Sequence, residues 1–365
     1  MLNIESYLSI TLLIILLLIL ANYIYTVALS RLTEEVIDSI PKKINEGFEN
    51  STVSQSVNSM IDSANDSENN GSWGKYKVLR DDEIYDDFYA KIYNKLTQMD
   101  KITTAEAGLI FFDWKKTMDP SKMRILDLGC GTGVVSAALK KLGASEIVGL
   151  DLSPAMIKRA RKVIESTTLT PTEKQDITYI QGNAYNPSAI EPQTITHALI
   201  LYFTIYYFKD QDAIFRNLAH WIQPGGQLAI EVVDKHRFEA VPDSSNPWVG
   251  INPQRYKKER ITKGTVVFDQ FEYTSEFELF DPMAEFSETF VFKDGTPTRR
   301  QKHTLYMYDI KKIVSTAEQS GWQYEKSMEL MPVGFPHAYI LFFRRAGNES
   351  GVRSITEQLE NIEDN

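Results

Sequence analysis

A chain of 365 residues with 43% hydrophobic content has enough apolar material for one large core or two smaller ones, which excludes a wholly disordered polypeptide. A formal net charge of -10 argues against a nucleic acid partner, because a broad phosphate-binding surface needs an excess of Lys and Arg. The one cysteine, Cys130, excludes an intramolecular disulfide and a cysteine-rich zinc centre, and no metal site is expected.

No charged residue occurs from Ser6 to Ser30. A helix over about 7–29 would span roughly 34 Å at about 1.5 Å per residue, enough to cross a bilayer, and residues 1–40 are therefore read as a single-pass transmembrane anchor with its flank. No Lys or Arg precedes this run, whereas Arg31, Lys42 and Lys43 follow it, so the positive-inside rule places the remainder of the chain in the cytosol. Residues 41–75 are rich in Ser, Asn, Asp and Gly and predict a flexible polar linker. Residues 76–346 form the folded domain of this reading, and 347–365 an acidic, disordered tail.

Within the domain, DDEIYDDFYAKIYNKLTQ places Ile84, Tyr85, Phe88, Tyr89, Ile92, Tyr93 and Leu96 on one stripe of an amphipathic helix. Then short apolar runs alternate with helix-period segments. MRILDL reads as a buried strand, VVSAALKKLG as a helix ended by Gly143, and SEIVGLDL as the next strand. Ser153 caps a helix with Pro154 at its first position. ITYIQ, HALILYF, the helix DAIFRNLAHWI and the strand GQLAIEVV continue the series. The alternation predicts an α/β fold, a doubly wound and mostly parallel seven-stranded sheet flanked by helices. From about 235 to 305 the pattern changes to the short alternation of a small antiparallel insertion. One more helix, DIKKIVSTAEQSG, then leads to a C-terminal antiparallel hairpin, GWQYEKSMEL and AYILFFRR.

The sharpest signal is LDLGCGTG, with Gly129, Gly131 and Gly133 at alternate positions directly after an apolar strand. A strand-to-helix turn puts free N–H groups and a positive dipole end at the edge of the sheet where ligands bind, and glycines let the backbone approach them. The dinucleotide fingerprint G-x-G-x-x-G would need its third glycine where Val134 stands, which weakens an NAD reading. Asp151 ends the next strand, where a carboxylate can accept both hydroxyls of a ribose.

Asp127 to Gly133 resembles, without a gap, the first motif of the class I S-adenosylmethionine-dependent methyltransferases, an acid-x-Gly-x-Gly-x-Gly loop on a Rossmann-like sheet. The motif matches run from about Arg124 to Asp234, and the resemblance of fold extends to about Arg345. It implies S-adenosyl-L-methionine as cofactor, with Asp127, Gly129, Cys130, Gly131 and Gly133 as the loop and Asp151 on the ribose. Leu152 and Met156 would lie against the adenine, Met156 being open also to ordinary helix packing. QGNAYN occupies the place of the family's Gly-Asp-Ala, so the Asn183 carboxamide would meet the adenine amino group and Ala184 would offer its backbone N–H. Tyr202, in LYFTIYYF, would face the sulfonium. In related enzymes the leading helix folds over the cofactor, which would bring Tyr85 or Tyr89 near its methionine part.

Transfer from a sulfonium asks mainly for alignment, because the leaving group is neutral. A base is needed only where the acceptor must lose a proton, and the catalytic candidates are Tyr206, Tyr207 and His303, with His236 beside them. Each is open to the alternative of a packed aromatic or a surface histidine. Arg299 and Arg300 stand close to His303 in sequence, as acceptor-binding residues or as a solvated basic patch. The resulting expectation is a membrane-anchored methyltransferase acting on a small-molecule or lipid acceptor, with a protein acceptor also open. The alternatives are a catalytically silent cofactor-binding scaffold and an NAD-dependent oxidoreductase.

Overall fold

The structure, a computed structural model, describes residues 78–97, 99–238, 240 and 262–347. The expected anchor at 7–29, the linker at 41–75 and the tail beyond 347 lie outside these residues. Among the described residues, no helix is long and apolar enough to cross a membrane.

The elements run in chain order as β1 (Val78–Arg80), α1 (Asp87–Thr97), α2 (Met99–Trp114), β2 (Arg124–Leu128), α3 (Val134–Lys141), β3 (Glu146–Asp151), α4 (Pro154–Ser166), α5 (Pro171–Gln175) and β4 (Ile177–Gln181). They continue with β5 (Ile195–Ile200), α6 (Gln211–Trp221), β6 (Ile222–Val233), β7 (Lys263–Val267), β8 (Phe271–Leu279), β9 (Met283–Phe292), β10 (Arg299–Tyr306), α7 (Ile310–Gln319), β11 (Trp322–Glu329) and β12 (Ala338–Arg345).

The larger sheet has seven strands in the order β11-β12-β6-β5-β2-β3-β4, as the alternation of runs predicts. Its strands are parallel except β12, which pairs antiparallel with both β6 and β11. β5 is buried at every position, ITHALI, because helices cover both faces of a parallel sheet. α4 shows how the sequence sets a helix: the Ser153 hydroxyl accepts from the Met156 N–H at 3.1 Å, Pro154 opens the first turn, and Met156, Ile157, Ala160, Val163 and Ile164 are buried. Each large apolar side chain so withdrawn from water contributes about 1.5–3 kcal/mol. The chain winds outward from β2 through β3 to β4, then returns to β5 on the other side of β2. Ligands of open α/β sheets bind at the carboxyl ends of the strands beside such a reversal.

The insertion is more than an appendage. β7 to β10 form an antiparallel meander, and β1 joins it in parallel beside β10, with Val78 opposite Arg300. The smaller sheet therefore has five strands and includes a segment from the front of the domain, which the tripeptide VLR was too short to announce. α1 packs between this sheet and α4. Phe88 stands edge-on to Phe290 at 5.5 Å, and a second core joins Phe88, Ile92 and Leu96 to Met156, Phe271 and Phe290. The expected helix over 81–98 starts later, at Asp87, after a tight turn at Asp81–Ile84. Arg299 holds that turn, pairing with Asp86 at 2.6 Å and donating to the Ile84 carbonyl at 2.9 Å.

Candidate active site

The three glycines of the loop all have positive φ, but they do different work. At Gly129 a Cβ would stand 2.5 Å from Thr204 Cγ2, and at Gly133 it would stand 2.4 Å from the Tyr179 hydroxyl, so neither position has room for a side chain. At Gly131 the space is open, and that space is the cleft: Gly129 and Gly131 line it, with Leu128, Asp151, Leu152 and Met156. The cleft encloses about 740 Å³ at the carboxyl ends of β2, β3 and β5. Gly133 packs behind it and caps α3.

Asp151 closes the far side of the loop. Its Oδ2 accepts from the Gly131 N–H at 2.9 Å and its Oδ1 from the Ser153 N–H at 2.9 Å, which fixes the carboxylate while leaving each oxygen a free lone pair. Burial raises its carboxyl above the ordinary value, against the lowering effect of those two N–H groups, so a pair of hydroxyl donors would be well received there. Asn183 also lines the cleft, but its Oδ1 already accepts from the Tyr185 N–H at 2.9 Å. Ala184 lines it beside Leu152, which is 50% exposed although large and apolar. A flat apolar ring fits against such a surface, and a ribose fits Asp151. These residues accordingly fit the nucleoside of S-adenosylmethionine.

A second chamber, of about 120 Å³, lies between the cleft and the small sheet. Tyr85, Tyr93, Tyr202 and Tyr207 line both spaces and form the wall between them. α1 is fastened over this wall: Thr132 of the glycine loop donates to Asn94 at 2.5 Å, and the Ser153 hydroxyl donates to the Tyr85 carbonyl at 2.6 Å. Tyr202 and Phe203 have φ of 51° and 62°, a left-handed pair without glycine that costs about 1–3 kcal/mol per residue. The Glu231 carboxylate accepts from the Tyr202 N–H and so helps hold the turn. Burial, with a weaker push from Glu231, drives the Glu106 carboxyl well above its ordinary value, and Glu231 itself is raised to about 7. Among the described residues neither oxygen of Glu106, nor Oε1 of Glu231, has a hydrogen-bond partner, so burial favours a protonated Glu106.

Across the wall runs a chain of hydrogen bonds. Tyr85 donates to the Tyr207 hydroxyl at 2.8 Å, Tyr207 meets His303 Nδ1 at 2.8 Å, and His303 Nε2 meets Glu288 Oε2 at 2.7 Å. Glu288 is 1% exposed and also accepts from Tyr89, Tyr273 and Gln301. Burial alone would raise its carboxyl, but the hydrogen bonds from His303, Gln301 and Tyr273 outweigh it and hold the group below its ordinary value. An ionised Glu288 accepts only, so His303 Nε2 carries its proton and Nδ1 is left to take one from Tyr207. Tyr207 is held neutral, because burial and the nearby Glu288 charge push its phenol up. The relay thus connects Glu288 and His303 to Tyr207 and Tyr85, two residues that line both the cleft and the chamber.

The predicted residues divide between this site and its surroundings. Gly129, Gly131, Asp151, Leu152, Met156, Asn183, Ala184, Tyr202 and Tyr207 line the cleft, and His303 lines the chamber. Asp127 lies beneath the loop, accepting from Ser136 at 2.7 Å, and burial raises it to about 7. Cys130 is 6% exposed and faces away from the cleft, against β3. Tyr206 is corrected as a catalytic candidate: it is fully buried, outside both spaces, and its hydroxyl is engaged by the Val233 backbone, accepting from the N–H at 2.9 Å. His236 is exposed and lines neither space. Arg299 is committed to Asp86 and Ile84. Glu288 was missed, although the alternation in AEFSETFVF puts it in phase with Ala284, Phe286 and Phe290 on the apolar side of its strand.

Comparison with known proteins agrees with this geometry. Residues 104–283 match a family model described as Methyltransferase domain. The chain is 27% identical over 114 residues to the ubiquinone biosynthesis O-methyltransferase of Proteus mirabilis, covering 31% of this chain and 43% of that protein. It is 29% identical over 121 residues to the biotin biosynthesis bifunctional protein BioCD of Bordetella avium, covering 33% of this chain and 24% of that protein. The chain thus spans less than half of either relative. Among solved structures, the CcbJ methyltransferase of Streptomyces caelestis superposes with a TM-score of 0.54 at 16% identity, over 73% of this chain and 100% of that one. The sugar N-methyltransferase KedS8 from Streptoalloteichus superposes with a TM-score of 0.52 at 20% identity, over 77% of this chain and 100% of that one. The chain therefore carries, on a Rossmann-like α/β fold, a methyltransferase domain of the class I S-adenosylmethionine-dependent kind, and S-adenosylmethionine is the cofactor that goes with it.

Proposed function

We propose that the protein transfers a methyl group from S-adenosylmethionine in the cleft to a small-molecule acceptor in the chamber. The observation that carries this reading is the shared wall: the same tyrosines that close the chamber border the cleft. Gly129, Gly131 and Asp151 would hold the cofactor, which supplies, when bound, a methyl carbon made electrophilic by its sulfonium. The chain's own residues orient the acceptor and take its proton. Tyr207 accepts the proton while passing its own to His303 Nδ1, and Glu288 stabilises the imidazolium that results.

The buried aromatic lining also excludes water, so that the acceptor is the nucleophile presented to the methyl group. A chamber of about 120 Å³ suits a compact group better than a large one. The uncharged run over 7–29 supports a membrane anchor that leaves the domain on the cytosolic side, and a lipid acceptor would then have to bring a compact headgroup. Incubation with methyl-labelled S-adenosylmethionine and a metabolite extract tests the reading. Label should enter small molecules with the intact protein and fail to enter them with His303→Gln. Equal labelling by that variant would count against the relay, and no labelling by either protein would favour a silent cofactor-binding scaffold.

A further inference from the structure

The chamber has a charge character that narrows its acceptor. Tyr85, Tyr89, Tyr93, Tyr202, Tyr207 and Tyr273 contribute to its lining, and among the described lining residues the one carboxylate is Glu288. Among the described residues that line it, there is no Lys or Arg. The rings are set at steep angles to one another. Tyr85 meets Tyr89, Tyr93 and Tyr207 at 69°, 66° and 69°, with centroids 5.6, 6.3 and 6.1 Å apart, and Tyr93 meets Tyr202 at 80°. Rings that stand nearly at right angles are the sides of a box.

We infer that this box receives a small amine as its cation and that the nitrogen is the atom methylated, an inference that rests on the methyl-transfer reading above. Aromatic faces attract a cation through their quadrupole, by about 0.5–1 kcal/mol at exposed sites and about 2 or more where water is excluded. Glu288 adds a negative charge that no Lys or Arg among the described lining residues offsets. A phenolate or carboxylate would meet the opposite: burial without a partner cation, in a field that repels it.

The reaction's own charge flow agrees. The ammonium gives one proton to the Tyr207 oxygen as Tyr207 gives its own to His303 Nδ1, leaving a neutral amine. The nitrogen lone pair then forms the N–C bond as the C–S bond breaks and its electrons return to sulfur. Positive charge passes from sulfur to nitrogen and ends inside the tyrosine box. The chamber therefore stabilises the charge where it finishes, which is where catalysis requires it.

The experiment uses the full chain saturated with S-adenosylhomocysteine, and calorimetry with three probes of one shape: tetramethylammonium, tert-butanol and pivalate. Tetramethylammonium should bind at least about tenfold more tightly than tert-butanol, and pivalate more weakly than either. That preference should fall at least threefold in Glu288→Gln, which removes the charge. It should also fall in Phe286→Leu, a half-buried lining ring that carries no charge and packs 5.5 Å from the His303 ring. Equal or tighter binding of tert-butanol or pivalate would overturn the amine assignment, as would a preference unchanged in both variants. Failure of S-adenosylhomocysteine itself to bind would overturn the underlying methyl-transfer reading instead.

Discussion

His303 Nε2 stands 2.7 Å from Glu288 Oε2, and both side chains are almost wholly shielded from solvent, at 2% and 1% exposure. The two residues face each other from neighbouring strands, β10 and β9, with Gln301 directly opposite Glu288 in the register. A buried carboxylate on an imidazole fixes its tautomer, and here that leaves Nδ1 turned toward Tyr207. Replacing His303 by Gln should lower kcat by about 10²- to 10⁴-fold while leaving cofactor affinity unchanged, as judged by steady-state rates and calorimetry side by side. Equal losses in both quantities would mean that His303 holds the fold together and moves no proton.

Asp151 anchors the other half of the account. Asp151→Ala would remove the acceptor for two ribose hydroxyls and also strand the N–H groups of Gly131 and Ser153. Affinity for S-adenosylhomocysteine should fall at least about a hundredfold, since a hydrogen bond to a charged group is worth about 1.5–3 kcal/mol. Asp151→Asn, which keeps an acceptor oxygen, should lose less. Undiminished affinity in the alanine variant would remove Asp151 from the site.

The glycine loop makes a prediction about stability. In Gly133→Ala the new Cβ meets the Tyr179 hydroxyl and the residue is held at φ of 80°, so denaturant titration should show a loss of about 2 kcal/mol or more. Part of that loss comes from the hydroxyl. Gly133→Ala should therefore cost less in a Tyr179→Phe background, and a double-mutant cycle measures the difference. Full additivity would mean that the Tyr179 hydroxyl plays no part and that the backbone conformation, with Ala160 and the Tyr179 ring, makes glycine necessary.

Buried acids set a pH dependence. Glu231 and Asp127 are each raised to about 7 by burial, and burial also raises Glu106 well above its ordinary value. A raised folded-state value means that the folded protein keeps protons which the unfolded chain releases. The stability so gained is complete below the ordinary carboxylate range near about 4 and is lost as pH climbs through about 7, on the order of 3–4 kcal/mol each for Glu231 and Asp127. Unfolding free energy should therefore be larger at pH 5 than at pH 8. Glu106→Gln should flatten that slope, because a carboxamide next to Glu231 has no proton to give up. A slope of opposite sign, or one untouched by the substitution, would show that Glu106 does not keep a proton in the folded protein.

Much of this site could be read in advance where one local segment carries the chemistry. LDLGCGTG and Asp151 lie within a single strand-helix-strand unit, so spacing along the chain is also spacing in the cleft. The five-stranded sheet was harder, because β1 is three residues long and pairs with a strand more than two hundred positions away. Tyr206 and Tyr207 are adjacent in sequence, and only the turn after β5 decides that one enters the core and the other the wall. Glu288 shows the same limit: its phase in β9 marks it as inward, but its partners come from α1, β8 and β10. α2 escaped notice since its apolar residues surround the helix instead of forming a stripe, as befits a helix covered on several sides.

The most direct measurement is a crystal structure of the protein with S-adenosylhomocysteine. The ribose hydroxyls should lie on the Asp151 carboxylate, the adenine beside Leu152 and Ala184, and the sulfur against the wall of Tyr202 and Tyr207. A nucleoside bound elsewhere, or one whose sulfur points away from the tyrosine chamber, would contradict the account.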